Sequence, residues 1–183
     1  MNYIEMSVAD GRSVRDALQV LAGGSGARGV AGVTDDGRLV ALLDVPRARG
    51  DGDESPPWWA DLGSLDAVRP RPDLATEVSD FVSTIPARSG FAQVIRARVT
   101  DRPTFERVLA ADAEWLAVAR PEVLGGALAW HGPDRFTLVV CFTDEASARA
   151  GEAKNAESPG ADIDALMLDV SYAELRDPWT APL

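Results

Sequence analysis

Two arginines on one strand are the residues best placed for binding chemistry. Arg96 and Arg98 fall within Phe91–Val99, a run rich in β-forming residues that predicts a strand. Alternation along a strand puts both on one face. If the apolar residues of the other face meet a helix, both guanidinium groups point toward the interior, where a charge needs a partner. They would then clamp an anionic or carbonyl group of a ligand, or form structural ion pairs.

Three residues on other predicted strands are candidate partners and ligand contacts. Glu5 and Asp169 supply carboxylates, and Tyr3 shares the strand face of Glu5. We therefore expect at least one of the two arginines to contact an acidic residue or a bound ligand.

The single histidine follows an aromatic residue at a strand end. His131 has the chemistry of a general base or a haem ligand, but it begins the turn sequence His131–Asp134, and turns usually lie at the surface. We interpret it as an exposed turn residue. Trp130 either lines a ligand cavity or packs in the core, and large aromatic residues mostly do the latter.

The chain has one cysteine and one histidine, too few for a closed transition-metal site, so we predict no metal and no tightly bound cofactor. Cys141 lies within an apolar strand and is predicted to be a buried, inert thiol. A single cysteine excludes an internal disulfide. With no signal peptide at the N-terminus, this predicts a cytoplasmic protein.

The negative net charge limits the kinds of partner that the protein can bind. The 29 acidic side chains outnumber the 18 basic ones, giving a net charge of −11. The acidic residues are spread along the chain, so the surface would repel phosphate backbones and anionic lipids. We therefore expect no nucleic-acid partner and no membrane association. A small-molecule ligand is the kind of partner that remains possible.

The order of predicted elements defines the fold class. Residues 91–183 predict strand, helix, strand, strand, helix, strand, with Asp101 and Asp144 as helix caps. Residues 1–85 repeat that order, and Leu74–Ile85 contains their fourth strand. We therefore predict an α+β protein of two tandem ferredoxin-like βαββαβ halves, 1–85 and 91–183. Packing sheet to sheet would make an intrachain α+β barrel.

Three further segments have simple interpretations. Residues 47–55 are rich in glycine and charge and predict a mobile loop. The glycine-rich residues 23–26 follow a predicted helix and stop it, which is the wrong order for a phosphate site. Trp58 and Trp59 either pack a helix at the barrel edge or anchor a partner.

Residues 91–175 resemble the antibiotic biosynthesis monooxygenase-like family of dimeric α+β barrels. The resemblance lies in residues 122–152: a strand, a turn, a strand led by an aromatic residue, and a helix start of Thr-Asp-Glu-Ala. Phe142 stands where the family usually has tryptophan, and Pro121-Glu122 where it has Pro-Gly. Some relatives are cofactor-free monooxygenases and some degrade haem. Their catalytic residues vary, so the resemblance assigns none here.

These observations leave three functions open. The leading one is a cofactor-independent, monooxygenase-like enzyme acting on a small apolar or aromatic molecule bound between the two sheets. The others are a non-catalytic binding or assembly module and a haem-binding or haem-degrading protein. The chain would be a monomer with an internal pseudo-dimer, or a homodimer.

Overall fold

The computed structural model describes residues 2–7, 28–35, 37–44 and 71–181. The predicted loop 47–55, the glycine-rich residues 23–26 and Trp58-Trp59 lie outside this part. The described strands are β1 (Asn2–Ser7), β2 (Arg28–Val33), β3 (Arg38–Asp44), β4 (Arg71–Leu74), β5 (Glu77–Phe81), β6 (Phe91–Val99), β7 (Val123–Trp130), β8 (Arg135–Phe142), β9 (Met167–Arg176) and β10 (Trp179–Ala181). The described helices are α1 (Arg102–Ala119) and α2 (Glu145–Glu152), with 3₁₀ turns at Ala153–Glu157 and Ile163–Leu166.

The strands form two antiparallel sheets of five. The first has the order β10-β2-β3-β1-β4 and the second β5-β7-β8-β6-β9. The fourth strand of the first half is predicted within Leu74–Ile85, which is wrong, because the strand there, β5, pairs with β7 in the second sheet whereas β4 pairs with β1. Thr76 marks the crossover, since its amide donates to the Trp130 carbonyl at 2.7 Å. Each sheet thus takes one edge strand from the other half of the chain, β10 in the first sheet and β5 in the second.

One cluster of buried side chains joins the two sheets. Most of the contributing side chains are small or β-branched, and with the larger Leu42 and Leu175 they fill the space between the described strands. The cluster includes Val30, Val40 and Leu42 from the first sheet and Ala92, Val94, Ala127, Ala129, Val139, Cys141 and Leu175 from the second.

The other face of the second sheet packs on the helices. Asp101 caps α1 by accepting from the Thr104 amide at 3.2 Å, and Asp144 caps α2 through the Ser147 amide at 2.7 Å, as predicted. Within α1, the buried residues Phe105, Leu109 and Leu116 follow helical spacing. Alternation along β6 therefore sends Ile95 and Val99 to the helices and Val94 to the other sheet, as the sequence predicts. No helix in the described ranges has the length and apolarity needed to cross a membrane.

Candidate functional site

A cavity of about 410 Å³ lies between the second sheet and the helices. Its floor is the helix-facing side of β6, β7 and β8, one wall is α1, and the rest is α2 and residues 153–166, which we call the closing segment. The floor and the α1 wall are mainly aliphatic and aromatic. These apolar side chains are Ile95, Phe105, Leu109, Leu116, Val123, Phe136, Leu138, Val140 and Phe142.

This cavity lies on the helix side of the second sheet, whereas the sequence predicts a ligand between the two sheets. Between the described strands, a space of about 40 Å³ lies beside Val40, Val94 and Arg96. It has room for a few waters but not for an aromatic molecule. The reason is side-chain size: small residues let the two sheets close on each other, whereas the closing segment and α1 leave a gap over the floor.

A buried guanidinium organises one end of the cavity. The Arg120 side chain is 4% exposed and donates to Glu122 Oε1 at 2.7 Å, Asn155 Oδ1 at 2.7 Å and the Ala148 carbonyl at 3.0 Å. Gly151 of α2 leaves room for it, because a Cβ there would collide with the guanidinium. Burial raises the pKa of Glu122, but the hydrogen bond and charge of Arg120 outweigh burial and hold that pKa below its usual value.

A second polar contact fastens the closing segment to α1. The Ser158 hydroxyl hydrogen bonds to Asp112 Oδ1, and Gly160 packs against the same side chain. At the mouth of the cavity stand Asp164 and Tyr172, both exposed. The pKa of Tyr172 is raised by burial and by the nearby Asp164 carboxylate.

The floor holds one polar side chain among apolar neighbours. Gln93 lines the cavity from the middle of β6, between Phe91 and Ile95 on the same face. Val140 is its register neighbour on β8 and Glu174 its neighbour on β9. An amide placed there offers donors and acceptors to whatever occupies the cavity.

The structure places the two predicted arginines in different environments. Arg98 is half exposed and pairs with Asp134 at 2.9 Å and Asp169 at 3.6 Å, so the expected contact with Asp169 is present. The expectation that both arginines point into the space between the sheets is wrong for Arg98, which lies at the open end of β6. A bulge in β9 places Asp169 beside it. Arg96 is partly buried and borders the small inter-sheet space.

The exposed position predicted for His131 is wrong. The side chain is 4% exposed, and its Nε2 lies 2.9 Å from Thr137 Oγ1 on the β8 face that looks toward the first sheet. The turn keeps its predicted place, but the backbone of His131 still pairs with Arg135, which draws the imidazole inward. It does not line the helix-side cavity.

Trp130 is a core residue, which is the more common of the two positions that the sequence allows for it. It is 1% exposed, its ring stands edge-on to Phe105 at 6.0 Å, and the Arg102 guanidinium lies 4.1 Å from its centroid. Cys141 is fully buried in the inter-sheet core, which confirms the predicted burial, and burial raises the pKa of its thiol to about 12. The backbones of Tyr3 and Glu5 lie on β1, where they pair with Leu42 and Val40 of β3.

Sequence reasoning missed the polar residues of the cavity. Asp112 carried a signal, because it interrupts the apolar stripe of α1. Gln93 carried another, because it is polar at a strand position whose neighbours of the same parity are apolar. Arg120 directly follows the last residue of α1, and nothing in the sequence pattern indicates that it is buried. In the part of the chain that the structure describes, no group of three His, Cys, Asp or Glu side chains is arranged to hold a metal ion.

Comparisons with known proteins establish the fold. No protein-family model and no curated protein sequence matches the chain. A candidate monooxygenase from Lactobacillus acidophilus aligns over 98% of this chain and 95% of its own, with a TM-score of 0.69 and 14% identity. A ferredoxin-fold protein related to antibiotic biosynthesis monooxygenases, from Listeria monocytogenes, aligns over 100% and 96%, with a TM-score of 0.54 and 11% identity.

A haem-degrading enzyme from Listeria monocytogenes has the same fold, with a TM-score of 0.54 and 10% identity over 97% of this chain and 100% of its own. The resemblance to antibiotic biosynthesis monooxygenase-like proteins is therefore confirmed at the level of fold. It extends beyond residues 91–175 to nearly the whole chain. At these identities the likeness describes architecture, and function has to be argued from the cavity.

Proposed function

We propose that the protein binds a small apolar or aromatic molecule in the helix-side cavity and oxidises it in a cofactor-independent, monooxygenase-like reaction. The observation that carries this is the cavity itself. Its volume of about 410 Å³ suits a small organic ligand, and an apolar floor interrupted by one amide is typical of such sites. The candidate monooxygenase of similar fold supports the reaction class.

The chemistry limits the substrate. Without a cofactor, the substrate must supply all the electrons that dioxygen accepts. An activated CH₂ group becomes a carbonyl, one oxygen atom enters the product and the other leaves in water with the two hydrogens. Such a substrate first loses a proton, so a phenolic or enolisable aromatic compound fits. The protein would bind and orient it and exclude water.

The second candidate is a non-catalytic binding module that uses the same cavity. It is favoured by the pairing of the polar lining groups, since Arg120 bonds Asn155 and Asp112 bonds Ser158 rather than converging on a ligand. Haem is the third candidate. The haem-degrading enzyme of similar fold supports it, and Met167 and Tyr172 are cavity side chains of types that ligate haem iron.

The architecture we propose is the one predicted from the sequence: two tandem halves, 1–85 and 91–183, in a monomer with an internal pseudo-dimer and a cytoplasmic location. The exchange of β5 and β10 between the sheets supports association of the two halves within one chain. A homodimer is the alternative, and the mass in solution distinguishes the two.

The test pairs binding with turnover. Purified protein is mixed with phenolic and anthrone-type compounds of one to three rings, and binding, oxygen uptake and incorporation of labelled oxygen are measured. Leu109→Trp fills the cavity and should abolish both activities, whereas Val118→Trp, on the exposed side of the same helix, should preserve them. Binding without oxygen uptake would favour the binding module. Failure of every compound to bind would refute a ligand cavity.

A further inference from the structure

The cavity floor contains one amide, that of Gln93, whose neighbours on β6 and β8 are apolar and whose neighbour on β9 is Glu174. On β6 and β8, the helix-facing positions other than Gln93 are apolar: Phe91, Ile95, Ala97, Val99, Phe136, Leu138, Val140 and Phe142. Gln93 makes no side-chain hydrogen bond to any residue in the described ranges. A primary amide has two donor hydrogens and an acceptor oxygen, and the partly buried Gln93 amide can offer all of them to whatever occupies the cavity.

The other polar groups of the described lining are engaged or stand at the mouth. Arg120 bonds Glu122 and Asn155, and Asp112 bonds Ser158. The side chains of Asp164 and Tyr172 are exposed to solvent. Gln93 is therefore the floor group with hydrogen-bonding capacity left for a ligand.

We propose that Gln93 is a positioning residue that hydrogen bonds a hydroxyl or carbonyl oxygen carried on the ligand's aromatic rings. This rests on the proposed binding function and identifies the side chain that would orient its ligand. An amide both donates and accepts, so it suits a phenol, a ketone or an enol. A carboxylate ligand fits less well, because the buried cation of this cavity, Arg120, already has Glu122 as its counter-charge.

The Gln93 amide would also favour the deprotonation step that the proposed reaction requires. The oxygen of a phenol or enol carries the negative charge once its proton is lost. A donor N–H directed at that oxygen favours the charged form. Gln93 would thus hold the ring in one orientation and favour its deprotonation.

The experiment compares 2-naphthol with naphthalene, which has the same rings without the oxygen. Dissociation constants are measured for the wild type, Gln93→Leu and Gln93→Asn. In the wild type, the ratio of the naphthalene to the 2-naphthol constant should be about tenfold higher than in Gln93→Leu, the effect of one buried hydrogen bond. Gln93→Asn, which keeps a shorter amide, should recover part of that ratio.

A second readout separates positioning from a structural role. Without ligand, Gln93→Leu should melt at the same or a higher temperature than the wild type, because leucine suits the apolar floor. An unchanged ratio with both probes still bound would overturn the inference and leave the proposed function standing. A lower melting temperature for Gln93→Leu without ligand would also overturn it. Absence of binding of both probes to the wild type would overturn the inference together with the proposed function.

Discussion

Arg120 Nη1 donates a hydrogen bond of 2.7 Å to Asn155 Oδ1, which joins the end of α1 to the segment that closes the cavity. The same guanidinium bonds Glu122 and the Ala148 carbonyl. One buried side chain therefore holds together α1, the start of β7, α2 and the closing segment. The shape of the cavity depends on it.

Replacing Arg120 should be costly. Arg120→Met removes the cation and leaves the Glu122 carboxylate, whose side chain is 13% exposed, without its partner. Removing one member of a buried pair typically lowers the free energy of unfolding by about 3–5 kcal/mol. Urea denaturation at neutral pH measures this. Arg149→Met, which breaks half-exposed pairs, is the control and should cost about 1 kcal/mol or less.

The same variant should respond to pH in a defined direction. The folded-state pKa of Glu122 lies below its usual value, so the wild type gains stability above the usual pKa and loses it as pH falls through the folded value. In Arg120→Met, the hydrogen bond and charge of Arg120 are lost, so the folded pKa of Glu122 rises above its wild-type position and protonation relieves the penalty at a higher pH. The difference in unfolding free energy between the two proteins should therefore shrink from about pH 7 to about pH 4. A constant or growing difference would contradict this account.

The Arg98 ion pairs should contribute little. Arg98 is half exposed, and its partners Asp134 and Asp169 are 39% and 75% exposed. Exposed pairs contribute about 0–1 kcal/mol and are screened by salt. We expect Arg98→Ala to lower the unfolding free energy by no more than about 1 kcal/mol, and by less in high salt. A loss of several kcal/mol, measured by urea denaturation, would show that the pair is not a surface contact.

Haem titration should separate the third candidate function from the other two. We expect the purified protein to be colourless. If added haemin produces a Soret band, Tyr172→Phe should alter it because Tyr172 lines the cavity, whereas His131→Ala should not because His131 faces the first sheet. Loss of the band in His131→Ala alone would place haem on the other side of the second sheet and contradict the helix-side site.

The Cys141 thiol should resist modification in the folded protein. Burial raises its pKa to about 12, so little thiolate forms near neutral pH, and the side chain has no exposed surface. Reaction with an aromatic disulfide reagent should be slow in buffer and fast in denaturant. Rapid labelling in buffer, with the circular dichroism spectrum unchanged, would show that the two sheets separate in the native state.

Local pattern determined much of the second half. Strand alternation in Phe91–Val99 assigned the faces of β6, and Asp101 and Asp144 marked the starts of the helices. These two predictions are confirmed because helix caps and strand alternation depend on residues that are near each other in sequence. Sheet membership depends on distant segments, so the pattern places the fourth strand of the first half within Leu74–Ile85, although the strand there, β5, pairs in the second sheet.

The site was decided by tertiary structure. The sequence determined which residues are polar on apolar faces, and Gln93 and Asp112 are visible there as interruptions of a pattern. Which face of the second sheet has a cavity depends on side chains from distant segments. Small residues from both sheets meet and fill one side, whereas Arg120, Asn155 and Ser158 hold the closing segment over the other. The burial of His131 was also decided by the fold, because its backbone stays paired with Arg135 and its imidazole lies beside Thr137 on the face toward the first sheet.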